Sequence, residues 1–129
     1  MPDTETTTPL ILTERRDFVA ASKRGFKGVA SSLIVQIVRR GDGLAPRYGI
    51  TASKKIGNAV VRNRAKRRLR AIVRALLAEQ AELGADYVLI ARHNTVSVDW
   101  AQLTADFTKA LGRAASQTAR QAVPNQQSS

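Results

Sequence analysis

From Ala59 to about Leu83 the chain carries a single amphipathic pattern, and this pattern limits what the rest can fold into. At 100° per residue, Val61, Ala65, Leu69, Ile72, Val73 and Leu76 fall within one arc of about 120°. Arg64, Lys66, Arg67, Arg68, Arg70 and Arg74 occupy the rest of the circumference, and Arg62 falls near the edge of the apolar arc. Asn58 stands where an N-cap is needed, and Gly57 where the chain must turn tightly before it. A helix with one apolar stripe needs an apolar surface to lie on. The segments before and after it read as strands, so that surface is a sheet.

The strand readings rest on β-branched content and punctuation. "SLIVQIVRR" is rich in Val and Ile and runs into the Gly/Pro loop "GDGLAPR". "RYGITAS" places Tyr48, Ile50 and Ala52 on one side, and "FKGVA" reads as an additional short strand. "DYVLIAR" is almost unbroken in apolar character, the pattern of a strand buried on both faces. "TERRDFVAASKRG" reads as a short helix capped by Thr13, with Glu14 in its first turn and Gly25 as its stop. Phe18, Ala21 and Ser22 share one face of it. "DWAQLTADFTKALGRAA" reads as a helix capped by Asp99, with Trp100, Leu103, Phe107 and Leu111 along one stripe. The expected class is α+β: one small sheet with helices, in the order helix, two or three strands, long helix, strand, helix. Residues 10–115 form one domain in this reading. Residues 1–9, rich in Thr, and 116–129 have no apolar pattern and read as disordered tails.

Charge identifies the kind of partner. The 129 residues carry 21 Lys and Arg against 10 Asp and Glu, a net charge of +11. After Asp42 the next acid is Glu79, and between them lie Arg47, Lys54, Lys55, Arg62, Arg64, Lys66, Arg67, Arg68, Arg70 and Arg74. A surface facing only solvent usually mixes signs. Here Arg64 and Arg68, Lys66 and Arg70, and Arg70 and Arg74 are like-charge neighbours one turn apart with no Glu to offset them. Arg62 and Arg64 also sit at the positive end of the helix dipole. Together these cost on the order of 1–2 kcal/mol, a sizeable part of net stability. Phosphates gripped by arginine forks would reverse the sign. Asn63, exposed between two arginines, can add a hydrogen bond to a phosphate, sugar or base edge. The expected partner is nucleic acid.

Other chemistries are disfavoured. There is no Cys, which excludes disulfides and thiolate metal sites and fits a reducing cytoplasm. No apolar run nears the ~18 residues that span a bilayer, and "MPDTETTTPLIL" lacks the basic start of a signal peptide. Hydrolysis by protein-held metal ions needs clustered carboxylates, and none of the ten acids pairs toward the basic region. Glu79 and Glu82 lie at the far end of the long helix, and His93 has no carboxylate or nucleophile beside it. Both read as surface features.

The stretch "SKKIGNAVVRNRAKRRLR", Ser53 to Arg70, closely resembles the signature of the bacterial ribonuclease P protein family, with the Arg62-Asn63-Arg64 triplet as its core. "RDFVAASKRG", "RYGITASKK" and "ADYVLIAR" resemble the family's first helix and the strands that flank the signature helix, and the likeness spans about Leu12 to Ala115. The resemblance implies a protein that assists a catalytic RNA in removing the 5′ leader of precursor transfer RNA by hydrolysis. It implies that Lys54, Lys55, Arg62, Asn63, Arg64, Lys66, Arg67, Arg68 and Arg70 contact the catalytic RNA or shape the metal-ion environment near it. It implies that Phe18 lines a cleft for the single-stranded leader, where Arg15, Arg16, Ser22 and Lys23 are the neighbours. It implies a parallel βαβ unit with a left-handed crossover, no cofactor held by the protein alone, Mg2+ used by the RNA-containing holoenzyme, and no obligatory protein partner or membrane. Two positions depart from the family pattern. Ser22 and Leu33 stand where members often carry aromatics, so the leader groove is expected to rely more on charge. The alternative function is that of a non-catalytic ribosomal or RNA-chaperone protein. A DNA reader is disfavoured because a strand, not a helix-turn-helix, precedes the basic helix.

Overall fold

A computed structural model describes the backbone of residues 9–12 and 14–128, and the side chains of these except Ser22 and residues 118–128. The chain runs β1 (Leu10–Ile11), α1 (Arg15–Arg24), β2 (Phe26–Val29), β3 (Leu33–Arg39), β4 (Arg47–Thr51), α2 (Ala59–Ile72), α3 (Ala78–Gln80), β5 (Ala85–Ala91) and α4 (Trp100–Ser128). A 3₁₀ turn over Lys54–Ile56 leads into α2, and a π-helical turn over Val73–Leu77 joins α2 to α3. The five strands form one mixed sheet in the order β1-β4-β5-β3-β2. The α+β class and the single sheet are as expected. The two-residue strand β1, too short to leave a pattern, is an addition.

Strand β5 is the centre of the fold. It pairs parallel with β4, Tyr48 opposite Tyr87, and antiparallel with β3, Val35 opposite Leu89. A parallel neighbour cannot be reached by a tight turn, so the chain crosses through α2 and builds the parallel βαβ unit. Ala85, Tyr87, Leu89 and Ala91 face α2 and α4, together with Leu33, Val35 and Ile37 of β3. Val88 and Ile90 face α1, together with Val38. Burial from both sides accounts for the unbroken apolar run of β5.

The helices follow their stripes with two changes. Ala65, Leu69, Ile72 and Val73 are buried as expected, but the next core residue is Leu77, with Leu76 half-buried. A π turn bonds i to i+5 and turns less per residue than an α-helix, so it rotates Leu77 into the sheet. In α4, Leu103 and Phe107 are buried with Ala110 and Ala114, whereas Trp100, expected in the same stripe, is 43% exposed. Asp99 caps α4, accepting from Gln102 N at 2.8 Å. At α1 the cap position falls on Glu14, which makes no side-chain cap bond; Thr13, the expected cap, lies outside the described residues, as do residues 1–8. Helical backbone in α4 continues to Ser128, across the boundary after residue 115 where composition reads as a tail. Gln117 Nε2 donates to Lys27 O at 2.9 Å, which fastens this part of the helix to the sheet edge.

Two buried carboxylates tie the elements together. Asp86, at the start of β5, accepts from Arg47 Nε and Nη2, both at 2.8 Å, and from Arg40 Nη1. A buried charge of this kind persists only when it is paired. Asp106 in α4 accepts from Ser32 N at 3.1 Å, Ser32 Oγ at 2.6 Å and Gln102 Nε2 at 2.8 Å, and so holds the β2–β3 turn to the helix. Burial alone raises the pKa of Asp106. The hydrogen bonds from Ser32 and Gln102 and the charge of Lys109 outweigh it, and the net shift is downward.

Helix α4 approaches β2 most closely at Gly28, where an added Cβ would lie 1.8 Å from Ala110 O. Gly28→Ala should therefore lower stability by about 1–3 kcal/mol through overpacking. Gly112→Ala in α4, where the methyl meets nothing within 4 Å, should raise it by about 0.5–1 kcal/mol. Urea titration of both variants checks the opposite signs. Because the Asp106 pKa is depressed in the folded state, its contribution is complete above the ordinary value of 3.8 and is lost as pH falls through the lower native value. Denaturation followed between about pH 5 and pH 2 should show a shallower acid limb in Asp106→Asn than in the wild type.

Candidate nucleic-acid interface

The basic helix is anchored at its start. Ser53 Oγ accepts from Lys55 N at 3.3 Å and Asn58 Oδ1 accepts from Val61 N at 3.0 Å. Between them Gly57 takes φ 148°, and a Cβ there would meet Val61 Cβ at 2.8 Å, so the turn requires glycine. Lys54 and Lys55 are thereby held, exposed, on a short turn just ahead of the helix.

Packing of the apolar stripe on the sheet sorts the basic residues into two groups. Asn63, Arg64, Arg67, Arg70 and Arg74 are exposed, and Lys66 is half-buried. Arg62 and Arg68 flank the stripe on its two sides, and both turn inward. Arg62 Nη1 donates to Gly57 O at 3.0 Å. Arg68 Nη1 donates to Thr95 O and Val98 O, both at 2.7 Å, and so clamps the β5–α4 loop against α2. Arg64, Arg67 and Arg68, with Val96, line a shallow concavity of about 290 Å³. Arg47, also within the acid-free stretch of sequence, is neutralised by Asp86 and lies 3.5 Å from Asp17. Among the described residues, no carboxylate pairs with Lys54, Lys55, Arg64, Lys66, Arg67, Arg70 or Arg74. Among the described residues, the charges of this exposed face are thus without ion-pair partners, as the acid-free stretch of sequence leads one to expect.

The second expected site lies on the other face of the sheet. Phe18 packs half-buried with Leu12, Ala21, Val38, Val88 and Ile90. Its ring covers Gly49 of β4, where a Cβ would lie 2.4 Å from the ring. Arg15, Arg16 and Lys23 are exposed on the same short helix, with Arg16 paired to Glu14 at 2.7 Å. The side chain of Ser22 lies outside the described residues. Leu33 is not part of this surface. It is fully buried on the α2 and α4 side, because one step along a strand reverses the face. Its neighbour Ile34, half-buried, has the α1-side parity instead. Sequence reasoning also missed the Arg68 clamp and the exposure of Trp100. The clamp depends on a loop brought in from 27 residues away and leaves no local signal. For Trp100, its place directly after the Asp99 cap was a signal that it starts the helix outside the core.

A mixed sheet with a parallel crossover helix, whose outer face carries arginines and lysines without ion-pair partners among the described residues, defines a class of basic α+β proteins suited to a polyanion. Comparison makes the assignment specific. The ribonuclease P family model matches residues 8–115. The ribonuclease P protein component of Erythrobacter litoralis is 42% identical over 106 residues, covering 82% of this chain and 86% of the relative. That of Ruegeria pomeroyi is 45% identical over 104 residues, covering 78% and 82%. The RNase P protein structure from Staphylococcus aureus superposes with a TM-score of 0.66 at 26% identity, covering 79% of this chain and 92% of that one. The Thermotoga maritima structure gives 0.64 at 29% identity, covering 75% and 90%. The chain belongs to the ribonuclease P protein family.

The two groups of arginines should separate by mutation. Arg67→Ala should leave stability within about 0.5 kcal/mol of wild type. Arg68→Ala should cost about 1.5–3 kcal/mol by leaving two carbonyls without their charged donor. Denaturant unfolding of the two variants, compared side by side, checks this.

Proposed function

We infer that the chain is the protein subunit of ribonuclease P, the ribonucleoprotein endonuclease that matures the 5′ end of transfer RNA. Family membership supports the assignment and does not favour a ribosomal or chaperone role. The observation that carries the binding mode is the acid-free outer face of α2. In this reading Lys54, Lys55, Asn63, Arg64, Lys66, Arg67 and Arg70 contact phosphates of the catalytic RNA. Arg62 and Arg68 hold the helix start and the adjoining loop in register for that contact, and Arg68 also offers its remaining donors to the Arg64–Arg67 concavity. Each guanidinium presents five N–H groups, so one bound carbonyl or two does not exhaust it.

The α1 side of the sheet takes the single-stranded leader of precursor transfer RNA. Phe18 gives a partly exposed ring, and Arg15, Arg16 and Lys23 supply charge along the same helix. Bond cleavage lies with the RNA. Among the described residues no three His, Asp or Glu side chains come together, so the protein's donors do not fit a metal ion of their own. Mg2+ belongs to the RNA and the scissile phosphate. The protein's contribution is to neutralise backbone charge and to align the substrate. Among the described residues no helix is long and apolar enough to cross a membrane, and the site of action in this reading is the cytoplasm.

Reconstitution tests the assignment. Added to a bacterial ribonuclease P RNA at low magnesium, the chain should stimulate leader removal from precursor transfer RNA. Absence of stimulation at every protein concentration overturns it. Arg64→Ala should weaken binding to that RNA and reduce the slope of log affinity against log salt by about one ion. An unchanged slope would return that face to solvent.

A further inference from the structure

A second concavity, with no acid among its described lining residues, lies where α4 passes β2, the edge strand at the other end of the sheet from β1. It has a volume of about 560 Å³, and its walls include Lys27, Val29, Thr108, Lys109, Arg113 and Gln117. Three cations and several hydrogen-bonding groups face it, and none of the residues lining it is acidic. The acid nearest in the helix, Asp106, is buried and already committed to Ser32 and Gln102. Asp106 feels the charge of Lys109 but is itself buried, and no acid among the lining residues balances Lys27 or Arg113. Lys109 and Arg113 stand one turn apart with like charge, the spacing that disfavours an isolated helix.

The floor of this concavity is fixed. Arg113 Nη1 donates to Val29 O at 2.6 Å, and Gln117 Nε2 to Lys27 O at 2.9 Å. The remaining N–H groups of Arg113 stay available, and Lys27 and Lys109 are exposed. Position relative to the sheet shows where the concavity leads. Lys27 pairs with Gln36 and Val29 with Ile34, so both residues point to the α1 side, the side that carries Phe18. Val29 is 40% exposed there. These two residues thus line the concavity while pointing to the α1 side of the β2 edge. Positively charged grooves can track the backbone of single-stranded nucleic acid without reading its bases.

We propose that this groove receives the distal part of the single-stranded leader, the nucleotides that leave the α1 cleft and cross the β2 edge onto α4. The proposal rests on the reading that the α1 side takes the leader. Lys27, Lys109 and Arg113 contact its phosphates, and the contact is independent of sequence.

The test uses the reconstituted holoenzyme and precursors whose leaders are lengthened one nucleotide at a time. Wild-type affinity should keep rising after the leader outgrows the α1 cleft. In Lys27→Glu/Lys109→Glu, which leaves the Arg113 and Gln117 bonds in place, affinity should level off earlier. The salt slope for the longest leaders should fall by about 0.7 per lost contact. Processing of the shortest leader should be unchanged. Identical length profiles for wild type and double variant overturn the groove while leaving the leader cleft intact. Equal losses on short and long leaders also overturn it, because they indicate a general effect of charge. Failure of the wild-type protein to support processing of even the shortest leader instead overturns the functional assignment, and the groove with it.

Discussion

Strand β5 must be covered twice. With a hydrogen-bonded neighbour on each side and side chains packed on both faces, it is buried along its length except at Ile90, which is half-buried. This requirement sets the positions of everything else. The parallel partner β4 forces a crossover, and the crossover helix must lay its stripe on the sheet. Once Ala65, Leu69 and Ile72 are buried, the opposite side of α2 has no choice but to face outward. The direction in which the arginines point is thus a consequence of core packing rather than of the arginines themselves. A surface meant for a large polyanion gains from this. Its charges are carried on a helix that cannot roll without exposing the core.

The same constraint explains why the basic residues are not equivalent. Those that flank the stripe, Arg62 and Arg68, reach backbone carbonyls of the protein and use part of their capacity at home. Those on the crest have only solvent or a ligand to meet. Arg47 shows a third outcome. It lies in the same acid-free stretch of sequence, yet its charge is consumed by Asp86, 39 residues away. Sequence spacing measures how crowded the charges are, and only the fold shows which of them remain unpaired.

How much could be read beforehand follows from how local each signal is. The unbroken run Tyr87 to Ala91 marked a central strand, and Asn58 and Asp99 marked helix starts, because one residue and its near neighbours decide such features. The outward face of α2 was legible for the same reason, since a helical wheel needs only local spacing. Leu33 was not, because assigning it to a face needs the register of β3 on β5, and an error of one residue reverses the answer. The π turn was not legible either. It trades Leu76 for Leu77 in the core, an exchange decided by the fit of α2 to the sheet and not by side-chain chemistry. The α1 side was half legible: Phe18 and Ala21, grouped on one face of α1 by their spacing, do pack together, but the contact of Phe18 with Gly49 shows that much of the ring serves the core.

The contact of α4 with β2 also bears on how the protein keeps its sheet from pairing with other chains. A terminal strand offers unpaired carbonyls, and these template the addition of another chain. Here the carbonyls of Lys27 and Val29 are taken by Gln117 and Arg113 from the C-terminal helix. Gly28, by lacking a side chain, lets that helix come close enough to do so. This edge closes only when α4 is docked. Without that contact β2 would present a ribbon open to pairing with another chain.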